Sequence, residues 1–510
     1  LKKEILLMKY VGALDQGTTS TRFIIFDERN NIVASSQKEH RQIYPRPGWV
    51  EHNIDEIWDN ACFVIKDALE KAGLSGSNIA SVGITNQRET IVAFDPVDGK
   101  PYHNAIVWQD LRGADFIDKL KKEIPESKIR EKTGLLYSPY FSASKIRWLI
   151  DNVAAIRKKI AEKRCVFATM DSYMCYKLTG KKALVTDVTN ASRYMLMNIE
   201  TEEWDPELLD IFGVNRDSLP EIVSSSGVIY GYTDIDGPFG SEVPVSGILG
   251  DQQAALFGQA CFDSGESKCT YGTGSFMLTN TGTKLCFSEH GLLTTVAYRI
   301  EGEKTRYALE GSVAVAGSLV QWIRDNLKMV NNAKELDELA ESVPDSAGVY
   351  IVPAFAGLFA PYWRSDARGV IAGLTGFATR AHICRAVLEA TAFQAYDIFK
   401  VMENDSKIKI SKLKVDGGMT NSNPLMAFQS DILALPVIRP MIVETTSLGA
   451  AYASGLTVGV WESVESLRKY WKEQLRWTPT MDDKERKKKV RFWNKAVSRT
   501  LGWVSVEEES

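Results

Sequence analysis

"ALDQGTTSTRFIIFD", Ala13 to Asp27, joins two strand-like apolar runs through Asp15, Gln16, Gly17, Thr18, Thr19 and Ser20. A tight hairpin needs two or three turn residues, usually Asn-Gly or Asp-Gly. Here a carboxylate, a glycine and three successive hydroxyls stand together, a set suited to a phosphate and a metal ion. Taken alone, such a stretch is more often an ordinary polar hairpin tip. The rest of the chain decides between the two.

Working outward, "NIVASSQKEH" reads as a third strand. "NIDEIWDNACFVIKDALEKAGL" sets Ile54, Ile57, Trp58, Ala61, Val64, Ile65, Ala68 and Leu69 on one helical face, with Asn53 and Glu56 as a capping box. "IASVGIT" follows as a buried strand, so the order predicts a mixed sheet with helices packed on it. The second half repeats the plan. "SKCTYGTGSFMLTNTG" is strand, turn and strand around Gly272, Thr273, Gly274 and Ser275; strands "TTVAYRI" and "YALEGS" and helix "VAVAGSLVQWIRDNL" come next. Two such turns suggest an internal duplication, which the weak identity between the halves leaves open. A third glycine turn, Gly417-Gly418 after Asp416, links a strand to a helix and lets backbone approach a nucleotide closely. Three such turns together favour a nucleotide clamped between two similar domains. The chain has no Walker Gly-x-x-x-x-Gly-Lys-Ser/Thr and no kinase His-Arg-Asp loop. Hairpin turns from two related domains then point to an actin-like ATPase architecture.

Bulk properties narrow the function. A chain of 510 residues exceeds one ordinary domain, and 44% hydrophobic content suits a large soluble core. A net charge of −4 argues against nucleic-acid or acidic-membrane binding. The seven cysteines are scattered without a Cys-x-x-Cys pair, as expected of reduced thiols in a cytoplasmic protein. No apolar run reaches the ~20 residues of a membrane helix. Met8 is a candidate start, with residues 1–7 as an upstream extension.

"ITNQRETIVAFD", "AIVWQDLR", "YFSASKIRWLIDN", "GILGDQQAALFGQ" and "GVIAGLTGFATRAHICRAVLEA", with the opening hairpin, resemble the FGGY family of carbohydrate kinases. Tyr140 to Asn152, with Lys145 and Trp148, fits one family signature; Gly369 to Glu389, with Gly373 and His382, fits the other. The resemblance runs from about Tyr10 to the 470s. The basic stretch "DKERKKKVRFWNKAV" beyond it reads as a helix with a solvated charged face.

The resemblance implies two actin-like (ribonuclease H-like) α/β domains, 8–253 carrying most of the substrate site and 254–510 most of the nucleotide site, with the cleft between them. It implies ATP-dependent phosphorylation of glycerol to sn-glycerol 3-phosphate, with Mg²⁺; the alternatives are another sugar kinase of the family, on a pentulose or hexonate, and a non-kinase actin-like ATPase. It also implies a homo-oligomer, dimer or tetramer.

Its site residues carry over one by one. Arg88 and Glu89 hold polyol hydroxyls with donors and acceptors, provided that the strand ends or bulges there, since neighbours on a strand face opposite ways. Tyr140 adds a phenol, while Trp108 and Phe276 pack on the carbon chain. Asp251 is the base, with Gln252 beside it on the substrate; helix N-cap is the other role open to Asp251. Asp15 helps to hold Mg²⁺. Thr18, Thr19 and Ser20 present donors to the terminal phosphates, Arg22 neutralises them, and Thr273 meets them from the second domain. Gly317 and Gln321 border adenine and ribose, Gly418 the phosphate end, and Ser422 stands where relatives carry an adenosine-contacting Asn. In the loop from Tyr232 to Gln253, Glu242 and Gly237 replace the Arg and His of regulated relatives, which implies neither fructose 1,6-bisphosphate inhibition nor phosphohistidine control.

Overall fold

A computed structural model describes residues 8–504, so the expectation for residues 1–7 lies outside the described residues. The opening stretch is a hairpin of strands Tyr10–Gln16 and Ser20–Asp27, closed by Gly17 N–H donating to Ser20 O at 2.9 Å. Its register sets Asp15 directly opposite Arg22, so the two side chains share a face. Ile32–Glu39 adds the edge strand, and helix Ile54–Ala72 packs the predicted apolar face beneath it, with only Trp58 half-exposed. Asn53 Oδ1 caps that helix by accepting from Asp55 and Glu56 N–H. The expected box is half formed, because Glu56 turns its carboxylate to Arg41 N–H.

The first sheet runs Ile32–Glu39, Ser20–Asp27, Tyr10–Gln16, Ile79–Asn86, Pro244–Gly250, Gly231–Tyr232. The second runs Leu293–Tyr298, Arg306–Val313, Ser275–Gly282, Ser267–Tyr271, Leu413–Asp416, Val437–Pro440, Glu473–Trp477. Stripped of the extra outer strand Leu293–Tyr298, the two are the same design. Each is an antiparallel hairpin with an antiparallel third strand on one side, then two parallel strands and an antiparallel edge on the other. The internal duplication that identity left open is written in this strand order. Between hairpin and second sheet, a small four-stranded sheet (Glu51–His52, Ala105–Ile106, Ile91–Phe94, Val166–Thr169) and its helices form a separate core that leans on Leu293, Val296 and Tyr307 of the second domain. The basic C-terminal stretch is helix Asp483–Ser498. It is solvated on one side only: Trp493 on the other is buried, stacked on Phe393 at 5.0 Å between centroids.

Two helices join the domains. Asp251–Gly258 follows the fifth long strand of the first sheet, and Thr445–Thr457 follows its counterpart in the second. The boundary expected at residue 253 thus falls inside a helix. The two cross through Gly258 and Gly449: a Cβ on Gly258 would stand 2.0 Å from Thr445 O, and one on Gly449 1.9 Å from Ala254 O. Only bare backbone fits there. Around the crossing Val11, Ala13, Leu249, Ala254, Leu448 and Ala450 form a core belonging to neither domain alone. No helix among the described residues is long and apolar enough to cross a membrane.

Gly449→Val is therefore expected to force the helices apart and lower stability by ~1–3 kcal/mol, the usual cost of overpacking. Urea unfolding checks this; a curve superimposing on that of the parent would show that the crossing is not close-packed.

Candidate active site at the domain seam

The strand Ile79–Asn86 ends just before the Gln87-Arg88-Glu89-Thr90 stretch, and Glu89 has φ +62°. A left-handed glutamate is uncommon and costs free energy. It turns Glu89 to the side of Arg88, bringing Oε1 to 4.0 Å from Arg88 Nε. The condition that the sequence imposed on this pair is met by a strand end with one strained residue.

Arg88 is 2% exposed and its guanidinium is crowded. Nη1 and Nη2 donate to Glu310 Oε2 and Oε1 at 2.6 and 2.8 Å, Nη1 also to Gln253 Oε1 at 3.1 Å, and Nε stands 3.1 Å from Asp251 Oδ1. Arg193 Nε donates to Glu89 Oε1 at 2.6 Å and its Nη2 to Glu310 Oε1 at 3.3 Å. Glu310 lies on strand Arg306–Val313 of the second domain. Burial opposes its charge, but Arg193 and Arg88 outweigh that and hold its carboxyl at about 2. Glu89 goes the other way, pushed up by burial against the pull of Arg193 and Arg88. The paired donors of Arg88 are thus taken by Glu310. Among the described residues the second Nη2 hydrogen of Arg88 is the donor left without a partner, with the Glu89 carboxylate alongside. Sequence reasoning missed Glu310 and Arg193; the signal was a lone carboxylate in the apolar strand "YALEGS", since buried charges are paired.

Asp251 is the first residue of its helix, one past the cap position, which Gly250 fills without a side chain. Its Oδ1 accepts from Gln252 N–H at 2.7 Å, and a third of its side chain is exposed. Gln252 Oε1 accepts from Lys268 Nζ, a buried ammonium whose pKa burial depresses. Register puts Phe276 beside Thr270 and Ser312, on the same sheet face as Lys268 and Glu310. Trp108 and Tyr140 meet edge to face at 5.5 Å, and the Arg193 guanidinium lies 5.8 Å from the Tyr140 ring. Lys145 of the first signature fixes this wall by donating to Pro139 O and Tyr140 O. His382 of the second signature accepts from Thr379 N–H, at the cap of helix Arg380–Ser406.

Asp15 stands close enough to Asp251 to feel its charge. Desolvation pushes the Asp15 carboxyl up to about 6; Arg22 and the Ser447 hydroxyl oppose this, while Asp251 and Glu444 add to it. Arg22 is held beside it by an ion pair with Glu444 and by Gln37. Thr18 Oγ1 accepts from Trp108 Nε1 at 3.0 Å, Thr19 is exposed, and Ser20 Oγ accepts from Gln37 Nε2. In the second domain, exposed Thr273 is braced through its carbonyl by Ala316 and Ser318 N–H. Gly317, at the start of helix Gly317–Asp325, donates to Gly272 O, and Gln321 is exposed on that helix. Gly417, at φ +89° with Tyr271 O 2.4 Å from any Cβ, is the glycine its turn requires, whereas exposed Gly418 faces open space. Ser422 is 8% exposed; its hydroxyl donates to Asp337 and accepts from Leu425 N–H.

The carboxyl ends of the parallel strands in both sheets therefore converge on one seam, where ligands of open α/β sheets bind. Its chemistry is that of phosphoryl transfer: half-exposed carboxylates, a buried guanidinium cluster and two hydroxyl- or glycine-rich turns. Residues 10–258 match the FGGY family of carbohydrate kinases, N-terminal domain, and residues 267–458 match its C-terminal domain. The chain belongs to the FGGY family of carbohydrate kinases. Among its relatives, the glycerol kinase of Chloroflexus aurantiacus is 54% identical over 501 residues, covering 98% of this chain and 100% of the relative. That of Clavibacter michiganensis is 53% identical over 499 residues, covering 97% and 98%. Among solved structures, Plasmodium falciparum glycerol kinase with ADP matches with a TM-score of 0.92 at 41% identity, covering 98% of this chain and 99% of that one. A xylulose kinase from Lactobacillus acidophilus shares the fold, with a TM-score of 0.85 at 23% identity and coverage of 96% and 97%.

Glu310→Gln removes the charge that anchors Arg88. Breaking a buried ion pair costs ~3–5 kcal/mol, so kcat/KM is expected to fall at least about 100-fold. Steady-state kinetics check this, and a value within threefold of the parent would show that Arg88 keeps its place without Glu310.

Proposed function

We propose that this protein transfers the γ-phosphoryl group of ATP to glycerol, giving sn-glycerol 3-phosphate and ADP. The observation that carries the reading is Arg88 set between Glu89 and Asp251, with Trp108 and Tyr140 paired as an aromatic wall, in a chain more than half identical to proteins named glycerol kinases. A three-carbon polyol needs donors and acceptors at its hydroxyls and an apolar wall along its carbons. Arg88 and Glu89 offer the first, and Trp108 with Phe276 the second.

Phosphoryl transfer is mostly positioning and charge neutralisation. Asp251 accepts the proton of the attacking hydroxyl, whose oxygen then bonds to the γ-phosphorus as the bond to the ADP oxygen breaks. Arg88 Nε fixes the acceptor carboxylate from one side. Arg22, with the backbone and hydroxyls of Thr18, Thr19 and Ser20, receives the phosphates from the first domain, and Thr273 from the second. Gly317, Gln321, Gly418 and Ser422 line the nucleotide's side of the seam. Gly317 adjoins the Gly418 turn, since Met419 Sδ lies 3.5 Å from where its Cβ would be.

Asp15 suits a magnesium ion. Burial, with the nearby charges of Asp251 and Glu444 adding to it, raises the proton affinity of Asp15, and a cation held there would relieve it. Bound with the nucleotide, Mg²⁺ neutralises phosphate charge; Mg²⁺ sites of this kind use one or two carboxylates plus substrate phosphates. A homo-oligomer is also expected. The 355–377 stretch exposes Phe355, Phe359, Trp363, Leu374 and Phe377, the last 73% exposed, and sedimentation would show whether that apolar surface pairs copies of the chain.

A coupled ADP-release assay across polyols, ketoses and sugar acids tests the activity: glycerol is expected to give the highest kcat/KM, and preference for a pentulose or hexonate would overturn the reading. Asp251→Asn keeps size and polarity but cannot take the proton, so kcat is expected to drop ~10²–10⁴-fold with glycerol affinity largely kept. Retention of a tenth of kcat would remove Asp251 from the base role. Below about 6 the Asp15 carboxyl is mostly protonated when no cation is bound. The apparent affinity for Mg²⁺–ATP is therefore expected to weaken from pH 7 to pH 5, and to weaken less steeply in Asp15→Asn, where the nucleotide's own phosphate is left to titrate. An identical slope in the two proteins would place the titrating group elsewhere.

A further inference from the structure

Beneath the phosphate turn lies a closed ring of hydrogen bonds. Trp108 Nε1 donates to Thr18 Oγ1 at 3.0 Å, and Gln42 Nε2 donates to Thr18 O at 2.9 Å. Gln42 Oε1 pairs with His52 Nε2 at 2.9 Å, and His52 Nδ1 with Gln87 Nε2 at 3.3 Å. Thr90 Oγ1 donates to Gln87 Oε1 at 3.0 Å and accepts from Trp108 N–H at 3.1 Å, which returns the path to its start. His52, Gln87 and Thr90 are buried, and Gln42 is half-exposed.

One proton arrangement satisfies every link. His52 carries its hydrogen on Nε2, for Gln42, and accepts on Nδ1 from Gln87. An imidazolium would turn a second donor against the Gln87 amide. Burial, with His40 edge to face at 4.5 Å, pushes His52 down to about 3, so the neutral form persists at every working pH. Gln87 Nε2 also reaches Gly17 O at 3.2 Å and Gln16 Oε1 at 3.1 Å, tying the ring to the strand that carries Asp15.

The ring's two ends are functional surfaces under the reading above, on which this inference rests. The Trp108 indole is the polyol wall, and Thr18 belongs to the phosphate turn. We propose that Gln42, His52, Gln87 and Thr90 are positioning residues that couple the two sites, so that a polyol seated on Trp108 orders the Thr18 turn for the nucleotide phosphates. Buried polar networks transmit such order because each member has one satisfied arrangement and leaving a partner unpaired is costly. The coupling is reciprocal by linkage.

The test is calorimetric titration of the full chain with a non-hydrolysable ATP analogue and Mg²⁺, with and without saturating glycerol. In the parent, glycerol is expected to tighten the analogue about tenfold, within the usual range of such coupling. In Gln42→Met and Thr90→Val that factor should fall below about threefold, while affinity for glycerol alone changes less than threefold. Trp108→Phe, which keeps the ring wall but loses the indole N–H, should uncouple the sites likewise. Undiminished coupling in Gln42→Met and Thr90→Val overturns the proposal, as does its absence in the parent. So does loss of both separate affinities along with the coupling, which would mark general loosening. Should Thr90→Val fail to fold, Gln42→Met, at a half-exposed position, decides alone. A parent that does not bind glycerol at all would sink the functional reading itself, whereas binding without coupling sinks the ring alone.

Discussion

Arg88 and Glu310 face each other across the domain seam, each almost wholly out of water, and much of the site hangs on that one bidentate pair. A guanidinium cannot give up its charge in a protein, so burying it requires a carboxylate with matching geometry. The polypeptide supplies Glu310 from the opposite domain and adds Arg193, which joins Glu310 to Glu89. Two arginines and two glutamates, all buried, thus balance each other. The position of the Asp251 carboxylate, reached by Arg88 Nε, follows from a partner 222 residues away in sequence from Arg88.

That arrangement divides labour among charged groups of similar type. Glu310 is held ionised at about 2 by its arginines and does structural work. Asp15, pushed to about 6, sits in a desolvated corner beside Asp251. Asp251 stays a third exposed. Three carboxylates of one seam thus differ in burial and in what stands within a few ångströms.

Much of this was legible in the chain itself. The hairpins, the amphipathic helix from Ile54 and the glycine turn after Asp416 follow from local pattern, and each formed where period and turn chemistry place it. The duplication was visible only as two similar turns, because strand order is a property of long-range pairing that single residues do not encode. The resemblance drew attention to Arg88 and Glu89, yet the engagement of the Arg88 fork by Glu310 was not legible. Nothing near Glu310 in sequence says which residue it meets across the seam. The hydrogen-bond ring through His52 was equally hidden: its members come from separate segments and are unremarkable singly. The cap role that the sequence left open to Asp251 falls to Gly250, because the helix starts one residue earlier than that role needs.

The two crossing helices carry a consequence for what counts as a domain in this chain. Thr445–Thr457 belongs by connectivity to the second sheet but covers strands of the first, through backbone contacts such as Ala450 O against Gly83 and Ser454 N against Gly247. Asp251–Gly258 leaves the first sheet and packs toward the second, where Gln253 reaches Thr295 and Val296. Each half lends the other a lid. A cut after Gly258 would take from each product the helix that the other half lends it, so the two related halves are built as one packing unit.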